Sequence, residues 1–246
     1  QHAEDAELSK DGMINDGIIA TKLGLQGIPV SAELLILERD LTLLEYNNCR
    51  YHISQISSAS SVEIIKERKS KVNFSCGVSI NNLSLNENDI GDFKTFLKLS
   101  PPLRTEDDRN ALVQGLVDET IDVIVSDHKP EDEENKRLTF AQAETGASGI
   151  ETLLPLSLEL YHNGSVNLET IIKALTSSPA KILKINKGNL SIGNDADFCI
   201  VDINKPWVVR KEKLISKSKN TPIEDKKLQG KVMNTFVNGE ELFKAE

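Results

Sequence analysis

Two periods of apolar residues alternate along this chain. Residues 120–125 are β-branched at every position except Asp122, as in a strand buried on both faces. That run ends at Ser126-Asp127-His128, and Pro130 forbids a regular continuation. Upstream, Pro29 opens a helix of roughly 15 residues, with Leu34, Leu35, Leu37, Leu41, Leu43 and Leu44 at helical spacing. A strand is predicted over 50–57, a helix over 61–69 on Val62, Ile64 and Ile65, and a strand over 72–78. Residues 83–91 read as a polar loop. Thr105, followed by Glu106, Asp107 and Asp108, caps a helix whose apolar face is Leu112, Val113, Leu116 and Val117.

Beyond the central strand the loop 129–137 is almost wholly charged, and its acids read as a solvated, mobile lid. A short helix is predicted over 138–143 and a longer one over 151–162, closed by Asn163-Gly164. Asn167 caps a helix over 168–176, and Ser178-Pro179 starts another with proline at its first position. After Asn186 turns and strands take over: strands over 197–202 and 207–210, then a hairpin over 231–242 across Asn238-Gly239. The class is α/β. About four βα units precede the change of character, an open parallel sheet or half of an eightfold barrel. Residues 1–189 form the barrel part and residues 190–246 a small β appendage.

Composition narrows the function. A net charge of −9 without any Lys/Arg cluster interleaved with aromatics argues against nucleic acid or an anionic membrane as partner. No apolar run approaches the roughly 20 residues of a membrane span. Cys49, Cys76 and Cys199 are far apart and read as small core residues in a reducing, cytoplasmic compartment. The opening Gln1-His2-Ala3-Glu4-Asp5 reads as the inside of a longer chain.

An acid and an imidazole at the C-terminal end of a buried parallel strand are what α/β active sites are built from; an incidental strand-to-loop turn looks the same. His2, His52 and His128 fall on or near strands and with Asp127 could converge on one metal, or be unrelated strand histidines. His162, at a helix C-terminus, suits a structural role. No phosphate-cradling glycine loop, serine-hydrolase elbow or cysteine nucleophile signature occurs.

Several motifs occur in order: Gln1-His2-Ala3-Glu4-Asp5, the run 50–57 (Arg-Tyr-His-Ile-Ser-Gln-Ile-Ser), Pro101-Pro102-Leu103-Arg104, Asp127-His128-Lys129-Pro130, Gly149-Ile150-Glu151-Thr152, the run 178–183 (Ser-Pro-Ala-Lys-Ile-Leu) and the run 217–222 (Lys-Ser-Lys-Asn-Thr-Pro). Together they resemble the C-terminal three-fifths of a dihydroorotase, of the type that associates with aspartate transcarbamoylase. The resemblance implies the C-terminal half of an amidohydrolase (β/α)8 barrel, with a portion of a composite β-sandwich. It implies interconversion of carbamoyl-aspartate and dihydroorotate in pyrimidine synthesis, usually with zinc. Asp127 then matches the general base and a metal ligand, and His2 a metal-ligand histidine. Gly149 matches a loop that covers substrate with backbone groups. Gln55 stands where the family's strand carries a metal-binding histidine, and Ser100 where an asparagine touches substrate. Glu131 stands where a histidine contacts the substrate carboxylate, and Asn81-Asn82 replace a histidine pair. Some members of the family do not catalyse and instead hold the transcarbamoylase in an assembly, and these departures look like that branch. Aspartate transcarbamoylase and a second copy of the chain are accordingly the partners to expect.

Overall fold

The computed structural model describes residues 1–47 and 49–245. Its first elements are short: β1 (Ile14–Asn15), α1 (Ile18–Leu23) and β2 (Gly27–Ile28), with β1 and β2 paired in parallel. The long helix α2 (Val30–Tyr46) follows Pro29, as its pattern predicts. It buries Ala32, Ile36, Leu37, Leu41 and Leu44, whereas Leu35 and Leu43 face outward. Glu33 lies on the buried face as well.

Next come β3 (His52–Ile56), α3 (Ala59–Arg68), β4 (Ser75–Ser79) and the single turn α4 (Ile80–Ser84). The helix α5 (Glu106–Val117) begins on a reciprocal capping box in which Thr105 and Asp108 satisfy each other's free amides. The opening strand of the sequence reading is shorter than its β-branched run: β5 spans Val123–Val125. Thr120 still belongs to a turn, because its amide and hydroxyl both donate to Asp118. Strands β3, β4 and β5 form one parallel sheet in that order. Gln1 extends it past β3, donating to the His52 carbonyl and accepting from the Ser54 amide. Each of β1 to β5 is followed by a helix, and α2, α3 and α5 pack against each other in turn.

The loop after β5 departs from expectation. Residues 138–143 are turns, and the helical turn is α6 (Glu133–Lys136). Nor is the loop wholly solvated, because Lys136 is only 1% exposed and donates to the Glu144 carbonyl at 2.6 Å. Then follow α7 (Leu153–His162), α8 (Leu168–Leu175) and α9 (Ser177–Leu183). Pro179 is the third helical residue rather than the first; a first-turn amide has no intrahelical partner to lose.

The predicted strands 197–202 and 207–210 are one continuous strand, β6 (Phe198–Val208). It pairs antiparallel with β7 (Lys227–Val237), which pairs with β8 (Glu240–Lys244). Asn238 (φ 52°) and Gly239 (φ 82°) both adopt the left-handed conformation that a two-residue hairpin of this twist requires. This second sheet rests on α7. Gly230 makes the closest approach, since a Cβ there would stand 2.3 Å from Leu158 Cδ1.

A similar closeness inside the parallel sheet yields a test. A Cβ on Gly77 would lie 2.5 Å from the Ser54 carbonyl oxygen, so Gly77→Ala must push β4 away from β3. The expected cost is about 1–3 kcal/mol, read as a lower denaturation midpoint; an unchanged midpoint would show that the sheet yields freely.

Candidate active site at the strand ends

Four of the residues singled out in the sequence meet at the C-terminal ends of the parallel strands. Gln55, on β3, donates through Nε2 to Asp127 Oδ1 at 3.2 Å and to the Ser100 carbonyl at 3.4 Å. The Ser100 hydroxyl lies 3.3 Å from His2 Nε2 and donates to Glu4 Oε2 at 3.3 Å. His2 Nε2 is itself 3.4 Å from Glu4 Oε2. A continuous polar chain therefore runs from Asp127 through Gln55 and Ser100 to His2 and Glu4.

Asp127 occupies a left-handed backbone conformation, φ 47°. Asp tolerates it better than most residues, but it is uncommon and costs free energy. Burial pushes its carboxyl above the ordinary carboxylate range; the Gln55 hydrogen bond, His2, Lys129 and the Ser79 hydroxyl oppose that rise. His2 moves up from 6.5, chiefly through its hydrogen bond to Glu4, and Glu4 moves down from 4.5 through the same bond. Two acids, a serine and an imidazole thus stand together with proton affinities set by their neighbours.

The other histidines do not converge here. His52 lies at the N-terminal end of β3, where Nδ1 bonds the Ser75 hydroxyl at 2.8 Å and burial lowers its pKa. His128 accepts the Gly149 amide on Nδ1 at 3.1 Å. His162 bonds the Ile203 carbonyl, a structural role. Gly149 does border the site: a Cβ there would stand 2.3 Å from the Ser126 carbonyl oxygen. Glu131 points to other neighbours, with its carboxylate 3.8 Å from Lys129 Nζ and its carbonyl accepting from Ser218.

A hollow of about 750 Å³ opens elsewhere, beside His52 and Ser75 at the N-terminal strand ends. The chemistry of the strand-end cluster outweighs the size of that hollow.

A metal's fit rests on this donor set. Among the described residues no group of three or more His, Cys, Asp and Glu side chains is arranged to hold a metal ion. Gln55 Oε1, however, is buried without a partner. That oxygen belongs to an amide whose nitrogen side touches Asp127, and it is a neutral donor open to a divalent cation, although a weaker zinc donor than a ring nitrogen.

Sequence reasoning missed Glu4, Ser79 and a deeper group, Glu33. Glu4 stood beside His2 in a run already singled out, and Glu33 sat on the apolar stripe of α2, where a carboxylate is out of place.

With this geometry in view, comparison with known proteins is informative. The Amidohydrolase family pattern matches residues 2–242, and the chain belongs to that family. A dihydroorotase of Ehrlichia chaffeensis is 44% identical over all of this chain and 56% of its own length. One of Ehrlichia canis is 42% identical over all of this chain and 55% of its own length. Among solved structures, the L-hydantoinase (dihydropyrimidinase) of Arthrobacter aurescens superposes with a TM-score of 0.88 at 26% identity, covering 99% of this chain and 56% of that one. The chain thus spans a little over half the length of these relatives. Its fold is the expected part of an amidohydrolase barrel with a small β appendage.

The His2–Glu4 pair has a defined pH window. Glu4, with its pKa lowered, stabilises the fold above about 4.5 and loses that contribution as pH falls through the lowered value. His2, with its pKa raised, contributes fully below about 6.5 and loses it as pH rises through the raised value. In an NMR titration His2 should titrate above 6.5, and Glu4→Gln should bring it down. A His2 titration indifferent to Glu4→Gln would contradict the pairing.

Proposed function

We propose that the whole protein is a dihydroorotase-type hydrolase, opening and closing the ring amide that relates dihydroorotate to carbamoyl-aspartate in pyrimidine synthesis. The observation that carries this reading is the polar chain ending on Asp127, a half-buried carboxylate at the C-terminal end of a parallel strand. The dihydroorotase relatives and the amidohydrolase family support it. His2 and Asp127, with Gln55 Oε1, are the groups of this chain that would hold a divalent cation such as zinc. Zinc, when bound, supplies Lewis acidity toward the amide carbonyl and makes water acidic enough to deliver hydroxide near neutral pH.

In this reading Asp127 takes the proton of the attacking water as the new C–O bond forms. It passes that proton to the ring nitrogen as the C–N bond breaks. A carboxyl raised by burial holds a proton between these two steps better than an ordinary one. Ser100, two bonds along the chain, and the Gly149 backbone stand on the substrate side. The Glu131 carboxylate would repel an anionic substrate, and Lys129 at 3.8 Å offsets part of that charge.

A specific feature favours a second reading, a non-catalytic homologue that holds or activates aspartate transcarbamoylase. Gln55 places an N–H donor on the carboxylate that should be the base, and a base engaged by a donor is weaker. In either reading the protein works in the cytoplasm, with aspartate transcarbamoylase or a second copy as partner. Among the described residues no helix is long and apolar enough to cross a membrane.

Metal content and dihydroorotate turnover of the full-length protein separate the two readings. Under the first, zinc co-purifies, Asp127→Ala lowers kcat by roughly 10²–10⁴-fold, and Gln55→His raises metal occupancy. Metal-free protein that stays inactive with zinc, manganese or cobalt added overturns catalysis, and co-elution with co-expressed aspartate transcarbamoylase then supports the second.

A further inference from the structure

The chain from Asp127 to Gly149 forms an arch that leaves the sheet at one site residue and returns at another. Its two stems meet in register: His128 bridges Ala147 in parallel, and the Lys129 amide donates to the Ala147 carbonyl at 2.8 Å. Asn220, only 2% exposed, holds both stems from outside, beside the Lys98 carbonyl, which accepts the Gly146 amide at 2.9 Å, and the Ser218 hydroxyl, which donates to the Glu131 carbonyl. Asn220 belongs to the connection between β6 and β7.

The Asn220 amide spends both of its ends on this arch. Its Nδ2 donates to the Gly146 carbonyl at 3.0 Å and to the Lys129 carbonyl at 3.4 Å. Its Oδ1 accepts from the Ser148 hydroxyl at 2.8 Å, from the Glu131 amide at 3.4 Å and from the Ser218 hydroxyl. Its backbone carbonyl accepts the Ser148 amide at 3.2 Å. The same connection is fastened just beyond the arch, where the Glu151 carboxylate accepts the amides of Ile215 and Ser216 at 2.9 and 3.0 Å. Few side chains offer a donor and an acceptor side in one rigid plane; Asn does.

We propose that Asn220 is a positioning residue: from the connection between β6 and β7 it clamps both stems of the arch and thereby sets where the Gly149 backbone stands at the strand-end site. The inference deepens the ring-amide reading and, for its functional arm, rests on it. Asp127 has independent anchors, the Gln55 bond and its own strand. Loss of the clamp therefore displaces the Gly149 side more than the base. The connection between β6 and β7 is then part of the site's machinery.

Hydrogen exchange followed by mass spectrometry on the full-length protein tests the clamp without any need for activity. In Asn220→Ala, exchange across 129–131 and 146–149 should quicken about tenfold, the scale of one or two lost buried hydrogen bonds, while β3 and β4 keep their protection. Ser148→Ala, which removes one bond to Oδ1, should act in the same direction by a smaller factor, and it serves if Asn220→Ala does not fold. In the dihydroorotate assay Asn220→Ala should raise KM several-fold more than it lowers kcat. Unchanged exchange in the arch, equal quickening throughout the chain, or a kcat loss with KM intact would each overturn the proposal. If the wild type has no turnover at all, the ring-amide reading fails, and the exchange measurement still decides the clamp.

Discussion

The buried carboxylate of Glu33 holds the strand-end site in register with its helices. It is 2% exposed, and an ion in such a place is tolerated only when its lone pairs are fully used. They are: the Ser57 amide donates to both oxygens, and the hydroxyls of Ser57, Ser58 and Ser61 donate as well. Ser57 also accepts from Arg104 Nε at 3.1 Å, and Arg104 reaches on to Asn15 and the Ile28 carbonyl. One carboxylate therefore joins the start of α2, the end of β3, the start of α3 and the segment after Ser100. Taking away such a group leaves several donors unpaired in the core, a loss of order 3–5 kcal/mol. Gln55 lies on β3 two residues before Ser57, which follows the strand's end, so its reach to Asp127 depends on where Glu33 holds that end.

The longer elements were legible from period, because burial on both faces leaves a run of β-branched residues and a helix leaves an apolar stripe; the short β1, α1, β2 and α4 leave too few residues for a period to show. The run before Asp127, the Thr105 cap and the Asn238-Gly239 turn are local features, each encoded within a few residues. Misplacements fell where a distant partner decides. Residues 138–143 have helical composition, yet the loop winds one turn earlier, where Lys136 finds the Glu144 carbonyl and Thr95 the Lys136 carbonyl. Residues 197–202 and 207–210 read as separate strands, but β7 pairs across the irregularity between Asp202 and Pro206.

The site was legible in its members and not in its connections. His2, Gln55, Ser100 and Asp127 could be named, since ordered motifs marked their positions. That they form one hydrogen-bonded chain, while His52 lies at the far end of the same strand, follows from the alternation of side chains and the strand's direction. Glu33 and Asn220 carried only indirect signals, an acid on an apolar stripe and a place in an ordered motif. The serines around Glu33 are 24 to 28 residues away, and the partners of Asn220 on the arch 72 or more; a buried polar residue declares itself only when its neighbours are known.

Gln55 is where structure and chemistry meet most directly. An imidazole at this position would present one nitrogen to a cation and leave Asp127 free as an acceptor. The amide instead turns its N–H face to Asp127 and leaves Oε1 buried and unpaired. Both halves of that arrangement bear on the same proton. The donor lowers the affinity of Asp127 for it, against the rise that burial imposes, and a cation drawn to Oε1 would lower it further. Burial is the larger influence, so the Asp127 carboxyl stays above the ordinary range despite the donor. The ring-amide reading draws on that burial-raised carboxyl at Asp127, whereas the scaffold reading requires only that the surrounding network, from Glu33 to Asn220, remain closed.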